Sequence, residues 1–128
     1  MPGAEIVIVE PEGWDDMRRS LELGDIVPVG PNPPPTYCDA IQTLRVAPLT
    51  FGILKKRNAR ALSVDDAEVA DAIRFAWEKH QLVVEPGASV GLAALLAGKI
   101  DPRDATVVVL SGGNVDPALH ARIVAKAA

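Results

Sequence analysis

The stretch T-V-V-V-L-S-G-G-N, from Thr106 to Asn114, decides how this chain is read: β-branched apolar residues run without interruption into a hydroxyl and two glycines. An apolar run with no polar alternation predicts a strand buried on both faces of a parallel sheet. Ser111-Gly112-Gly113 predicts a tight turn, and Asp116-Pro117 the cap and first residue of a closing helix that runs to Ala128. Near the other end, Ile6-Val7-Ile8-Val9 has the same strand character and stops at Glu10-Pro11. Strands of this kind with helices between them predict a three-layer α/β fold with a small, mostly parallel sheet. In such folds ligands sit at the carboxyl ends of strands.

The connecting segments carry helix signals. Asp15 to Leu23 has acids in its first turn and Gly24 just past its end, which predicts a short helix. Pro28, Pro31, Pro33, Pro34 and Pro35 then hold Ile26 to Thr36 as an extended loop, because their fixed φ and missing N–H exclude a helix or a central strand. Pro48 opens a helix through Leu54 that fades at Asn58, and Ala61-Leu62 predicts a short strand. Ser63-Val64-Asp65-Asp66 reads as a capping box at the head of a long helix, with Val69, Ile73, Ala76, Trp77 and His80 along one stripe. Glu85-Pro86-Gly87 breaks that helix, and Ala88 to Ala97 is apolar nearly all round, as in a helix enclosed by neighbours.

A length of 128 residues predicts a single domain over residues 1–128. Apolar residues at 48% and charged residues at 23% exclude a disordered or coiled-coil chain. The net charge of −4, with no basic run longer than Lys55-Lys56-Arg57, argues against a nucleic-acid partner. No apolar stretch approaches the ~20 residues of a membrane-spanning helix, so no membrane partner is expected. A single cysteine, Cys38, permits no internal disulfide, and no signal-peptide pattern opens the chain; the expected location is the cytoplasm.

The turn at Ser111-Gly112-Gly113 uses its glycines either for φ or for a close approach of backbone to a neighbour. Glu85 stands where a helix N-cap belongs, and Asp15 and Asp16 where acids complement a helix dipole. His80 and His120 read as packed or surface histidines, and no Ser-His-Asp or His/Cys cluster emerges.

In combination, L-V-V-E-P-G-A-S-V-G from Leu82 and V-V-V-L-S-G-G-N-V-D-P from Val107 resemble the serine/threonine dehydratase and serine racemase family of fold-type II pyridoxal-phosphate enzymes. I-V-I-V-E-P-E-G-W-D-D-M from Ile6 and the segment Thr36 to Thr43 extend the resemblance over almost the whole chain. The resemblance implies pyridoxal phosphate as cofactor, a small amino-acid substrate, and β-elimination of water from L-threonine or L-serine with release of ammonia and a 2-oxo acid. It implies that Ser111 hydrogen-bonds the pyridine nitrogen, with Gly112, Gly113, Glu85 and Ala40 lining the ring. It also implies that Glu10, the carbonyl of Trp14, and Asp16 hold a divalent cation, Mg²⁺ or Ca²⁺, both of which favour oxygen donors.

Two departures shape what to expect. The family's Asp-Gly is Asp39-Ala40 here, which puts a methyl group beside the ring. The family's Schiff-base lysine, in a Ser-Phe-Lys context, and its glycine-rich phosphate loop match nothing in these 128 residues; Lys55, Lys56, Lys79, Lys99 and Lys126 stand in other contexts. The expectation is a C-terminal portion of the catalytic domain, inactive alone, from a truncation, an internal start or one chain of a split enzyme. Its expected partners are further copies of itself or a complementary N-terminal half. The rival readings are a non-catalytic α/β interaction module and a metal sensor built on Glu10 and Asp16.

Overall fold

The computed structural model describes residues 3–103 and 105–125. Strand β1 (Val7–Pro11) leads into helix α1 (Asp16–Leu23), which Gly24 ends in the left-handed conformation at φ 74°. The proline-rich segment carries no regular element up to a single 3₁₀ turn at Asp39–Ile41. Helix α2 (Pro48–Lys56) and strand β2 (Arg60–Val64) follow, then the long helix α3 (Asp66–His80), the apolar helix α4 (Pro86–Leu96) and the closing helix α5 (Pro117–Ala125).

Strands β1 and β2 pair in parallel, Val7 opposite Arg60 through Pro11 opposite Val64, with α2 in the crossover between them. Side chains alternate between the two faces of such a sheet. Val9 and Leu62, partners in the ladder, pack into the core shared by α3, α4 and α5. Ala61 points the other way and lines a surface groove with Arg18 and Leu21 of α1. The sheet therefore lies between helices on two sides, a three-layer arrangement.

The core is built from Val64, Val69, Ala72, Ile73, Ala76, Val84, Val90, Leu92, Ala93, Ala94 and Ile123, with Cys38 buried beside them. Small residues on α4 let it lie close to α3, and burial on nearly every side explains why its sequence shows so little polar face.

Three expectations are corrected in detail. The capping box of α3 is formed by Asp65 and Glu68, each side chain accepting the other's backbone N–H at 2.8 and 2.9 Å. Ser63 cannot serve because its backbone belongs to β2, opposite Glu10. The buried stripe of α3 runs Val69, Ala72, Ile73 and Ala76, whereas Trp77 is 40% exposed and His80 lies on the surface. Trp77 instead stacks edge-on against His120 at 5.5 Å between ring centroids.

The third concerns Thr106 to Leu110. The segment belongs to no sheet among the described residues, and it is not buried on both faces: Val107 and Val109 are 84% and 72% exposed. Val108 and Leu110 do pack on the core, so the in-and-out alternation of a strand is present without a ladder. The physical reason is that no described segment offers it a neighbouring strand. The closing helix begins as expected, with the Asp116 carboxylate accepting the Leu119 N–H at 2.8 Å; its expected final turn, residues 126–128, lies outside the described residues.

Candidate functional site

Three segments far apart in sequence meet at one edge of the molecule. Glu85 donates its backbone N–H to the carbonyl of Gly112 at 3.0 Å, tying the entry of α4 to the turn after Leu110. A Cβ placed on Gly112 would stand 2.0 Å from Glu85 Oε1, and one on Gly113 would stand 2.7 Å from the carbonyl oxygen of Val83. Neither glycine has a positive φ, so these two are glycine because of close approach and not because of backbone conformation. A Cβ on Gly87 would touch Ala40 at 3.7 Å, which brings the 3₁₀ turn to the same edge.

Glu85 holds the N-cap position of α4, yet its side chain caps nothing, and the first helical turn is served by Pro86 instead. Its carboxylate is thereby left to lie against Gly112. The carbonyl of Glu85 accepts the Ser89 hydroxyl at 2.8 Å, which anchors that first turn. Ser111, Gly113 and Ala40 are exposed, and the Ser111 hydroxyl is engaged by none of the described residues. The structure thus gathers Ser111, Gly112, Gly113, Glu85 and Ala40 into one open face. A free neutral hydroxyl on Ser111 with a carboxylate nearby fits a heteroaromatic ring that accepts a hydrogen bond at its nitrogen.

The second group lies at the end of β1. Glu10 accepts the N–H groups of Met17 and Arg18 at 3.0 and 2.8 Å, one on each carboxylate oxygen, and so caps the N-terminus of α1 from a distance. Nothing in the sequence pattern announces this capping role. Burial, with smaller repulsions from Asp16 and Asp15, pushes the Glu10 carboxyl up to about 7 against the opposing pull of those two bonds. Asp16 is fully buried, and neither of its side-chain oxygens has a hydrogen-bond partner in good geometry. Burial raises its carboxyl as well, only partly offset by the backbone N–H groups of Asp16 and Val46.

An orphaned, buried carboxylate beside a second one is an arrangement that a hard cation would relieve. Asp15 behaves differently and pairs with Arg18, which also reaches Glu22 at 2.7 Å. Among the described residues no three His, Cys, Asp or Glu side chains are grouped to hold an ion. A cation here would therefore rest on Glu10 and Asp16 with main-chain carbonyl and water oxygens.

A further polar cluster, unnoticed in the sequence, ties the proline-rich loop to α3. The Asp66 carboxylate accepts the Thr36 hydroxyl at 2.6 Å and the Tyr37 N–H at 3.1 Å. Thr36 in turn accepts the N–H of Cys38 at 3.2 Å, and Cys38 is buried next to the Ala40 turn. Burial pushes its thiol up to about 11, with Asp66 and Asp39 adding to the rise.

Known proteins share this sequence pattern and fold. The pyridoxal-phosphate dependent enzyme family matches residues 1–112. The L-threo-3-hydroxyaspartate ammonia-lyase of Saccharomyces cerevisiae is 36% identical over 124 residues, covering 96% of this chain and 37% of that protein. The serine racemase of Dictyostelium discoideum is 36% identical over 118 residues, covering 90% of this chain and 36% of that protein. The crystal structure of a T.th. threonine deaminase superposes with a TM-score of 0.82 at 36% identity, covering 90% of this chain and 42% of that one. The chain thus spans well under half the length of the relatives it matches. With the match running from β1 to the Ser111-Gly112 turn, this chain belongs to the pyridoxal-phosphate dependent enzyme family.

Proposed function

We propose that this chain supplies one side of the cofactor site of an ammonia-lyase acting on a small β-hydroxy amino acid, L-threonine or L-serine, and that it is inactive alone. The observation that carries the reading is the junction of the Ser111-Gly112-Gly113 turn with Glu85, closed by the 3.0 Å bond from the Glu85 N–H to the Gly112 carbonyl. The relatives named as ammonia-lyases of threonine and of hydroxyaspartate, and as serine racemases, share a β-hydroxy α-amino acid in their names, which supports the substrate class.

When bound, pyridoxal phosphate supplies an electron sink for charge left at the substrate's α-carbon. Ser111 would meet the pyridine nitrogen with a neutral hydroxyl, which does not hold that nitrogen protonated as a carboxylate would. This limits the sink and favours elimination over deeper carbanion chemistry. Gly112 and Gly113 let Glu85 and the Val83 carbonyl approach the turn closely, which places the Glu85 carboxylate beside Ser111. The Ala40 methyl group would narrow the same face. Glu10 and Asp16, with the carbonyl of Trp14, would hold Mg²⁺ or Ca²⁺; the orphaned oxygens of Asp16 support that reading.

None of the five lysines stands in the sequence context of the family's Schiff-base residue, and the glycine-rich phosphate loop has no counterpart here. The covalent attachment of cofactor and the phosphate grip must therefore come from elsewhere. The test is release of ammonia and 2-oxo acid from L-threonine and L-serine by the chain with pyridoxal phosphate, against free pyridoxal phosphate. No excess over the free cofactor is expected; an excess that saturates with substrate would sink the proposal.

A further inference from the structure

Helices α3 and α5, with Tyr37 of the preceding loop, enclose a cleft of about 340 Å³. None of its lining residues belongs to the Ser111–Glu85 edge or to the Glu10 and Asp16 pair. Its floor is aliphatic: Ala67 and Ala70 on one face of α3 are small enough to leave the space open, and Leu119 and Ile123 face them from α5. Two arginines line it from different helices, Arg74 on α3 and Arg122 on α5. Arg74 is anchored, donating to the Ile123 carbonyl at 3.1 Å near the C-terminus of α5 and pairing with Asp71. Arg122 is exposed and forms no hydrogen bond or ion pair with any of the described residues. The carboxylate on the lining, Asp66, is already engaged by the Thr36 hydroxyl and the Tyr37 N–H. In a chain of net charge −4, the cleft therefore sets two cationic groups and one occupied carboxylate over an apolar floor.

We propose that this cleft binds a small organic carboxylate with a compact aliphatic body. The planar fork of Arg122 matches a carboxylate through two parallel N–H···O bonds, and Arg74 adds a second positive charge already fixed in place. The aliphatic body covers Ala67, Ala70 and Leu119, and Tyr37, 39% exposed, supplies the remaining wall. Size and floor both select the ligand. Ligand pockets start at about 300 Å³, so this one suits a body of a few carbons. Its aliphatic floor rewards apolar surface that a bare inorganic anion does not carry. Because Asp66 ties the Tyr37 N–H to the first turn of α3, a ligand bridging α3, α5 and Tyr37 also steadies the Tyr37–Cys38 backbone. This ligand site is separate from the proposed half-site and needs no pyridoxal phosphate.

The experiment titrates the full chain, without pyridoxal phosphate, with isovalerate and follows the backbone amides by NMR; isovaleramide and inorganic phosphate serve as comparison ligands. Isovalerate should give saturable shifts at Tyr37, Ala67, Ala70, Leu119 and Arg122, with a Kd of about 1 mM. The neutral amide and phosphate should each bind at least about tenfold more weakly, since one lacks the charge and the other the apolar body. Arg122→Gln, on an exposed position of α5, should weaken isovalerate at least about tenfold while leaving the unliganded spectrum otherwise intact. Ala70→Leu fills the floor and should abolish the shifts; if that variant misfolds, Arg122→Gln alone carries the test. No saturation up to about 50 mM, shifts that cluster elsewhere, or unchanged affinity in Arg122→Gln would each overturn the proposal. Equal binding of isovaleramide would reduce the cleft to an apolar crevice, and equal binding of phosphate to a bare anion patch; either result also overturns it.

Discussion

Alanine placed in turn at Gly112 and Gly113 probes why this turn is glycine. At Gly113 the new Cβ would stand 2.7 Å from the Val83 carbonyl oxygen, where ordinary contact begins at 3.4 Å. The neighbour is backbone held beside the anchored entry of α4, so relief requires the turn to move by about 0.7 Å, and such overpacking costs about 1–3 kcal/mol. Moving the turn also strains the 3.0 Å bond between the Glu85 N–H and the Gly112 carbonyl, whose loss costs about 0.5–1.5 kcal/mol. At Gly112 the nominal clash is worse, 2.0 Å, yet its target is Oε1 of Glu85, the far end of a side chain that can rotate away. Its cost should stay below about 1 kcal/mol, the scale of a displaced rotamer. Urea unfolding followed by tryptophan fluorescence, with equal m-values, reads the difference. Gly113→Ala should be the more destabilising despite the longer distance, and Glu85→Ala should abolish whatever Gly112→Ala costs. Gly112→Ala costing as much as Gly113→Ala, with or without Glu85, would refute the reasoning.

Ile73→Ala empties a fully buried site on α3 and should cost about 2–5 kcal/mol in the same unfolding assay; a loss under about 1 kcal/mol would show that the α3 core is not packed as described. Cys38 should resist alkylation: with its thiol raised from 9.0 to about 11, the thiolate fraction at pH 8 falls about a hundredfold and increases with pH up to that value, so native labelling as fast as in urea would contradict its burial. Mg²⁺ or Ca²⁺ should raise the melting temperature by neutralising the carboxylates of Glu10 and Asp16, and Asp16→Asn should remove that response; calorimetry showing no heat of binding for either ion would exclude the cation.

The helices were legible because their signals are local. Acids and bases sit within α1, Pro86 opens α4, and the 3.6-residue period of α3 shows in Val69, Ile73 and Ala76. The cap of α3 slipped by two residues because a strand and a helix compete for Ser63, and only the ladder with Glu10 decides it. The apolar run Val107–Leu110 predicts a doubly buried strand, yet among the described residues it joins no sheet and Val107 and Val109 are exposed, since a hydrophobic pattern reports what a segment is suited to cover and not what lies against it. Motif resemblance singled out Glu85 and Gly112, and the structure supplies what resemblance lacked, a reason in close contact for each glycine. The capping of α1 by Glu10 stayed hidden because it joins residues seven and eight positions apart across a turn, with no fixed spacing to announce it.

Half of a cofactor site without its covalent anchor is a claim tested most directly by trapping. The purified chain is titrated with pyridoxal phosphate, reduced with borohydride and read by intact mass and peptide mapping. The account predicts absent labelling, or labelling scattered over Lys55, Lys56, Lys79, Lys99 and Lys126 without saturation. A single stoichiometric adduct on one lysine, saturating at low cofactor concentration, would contradict it.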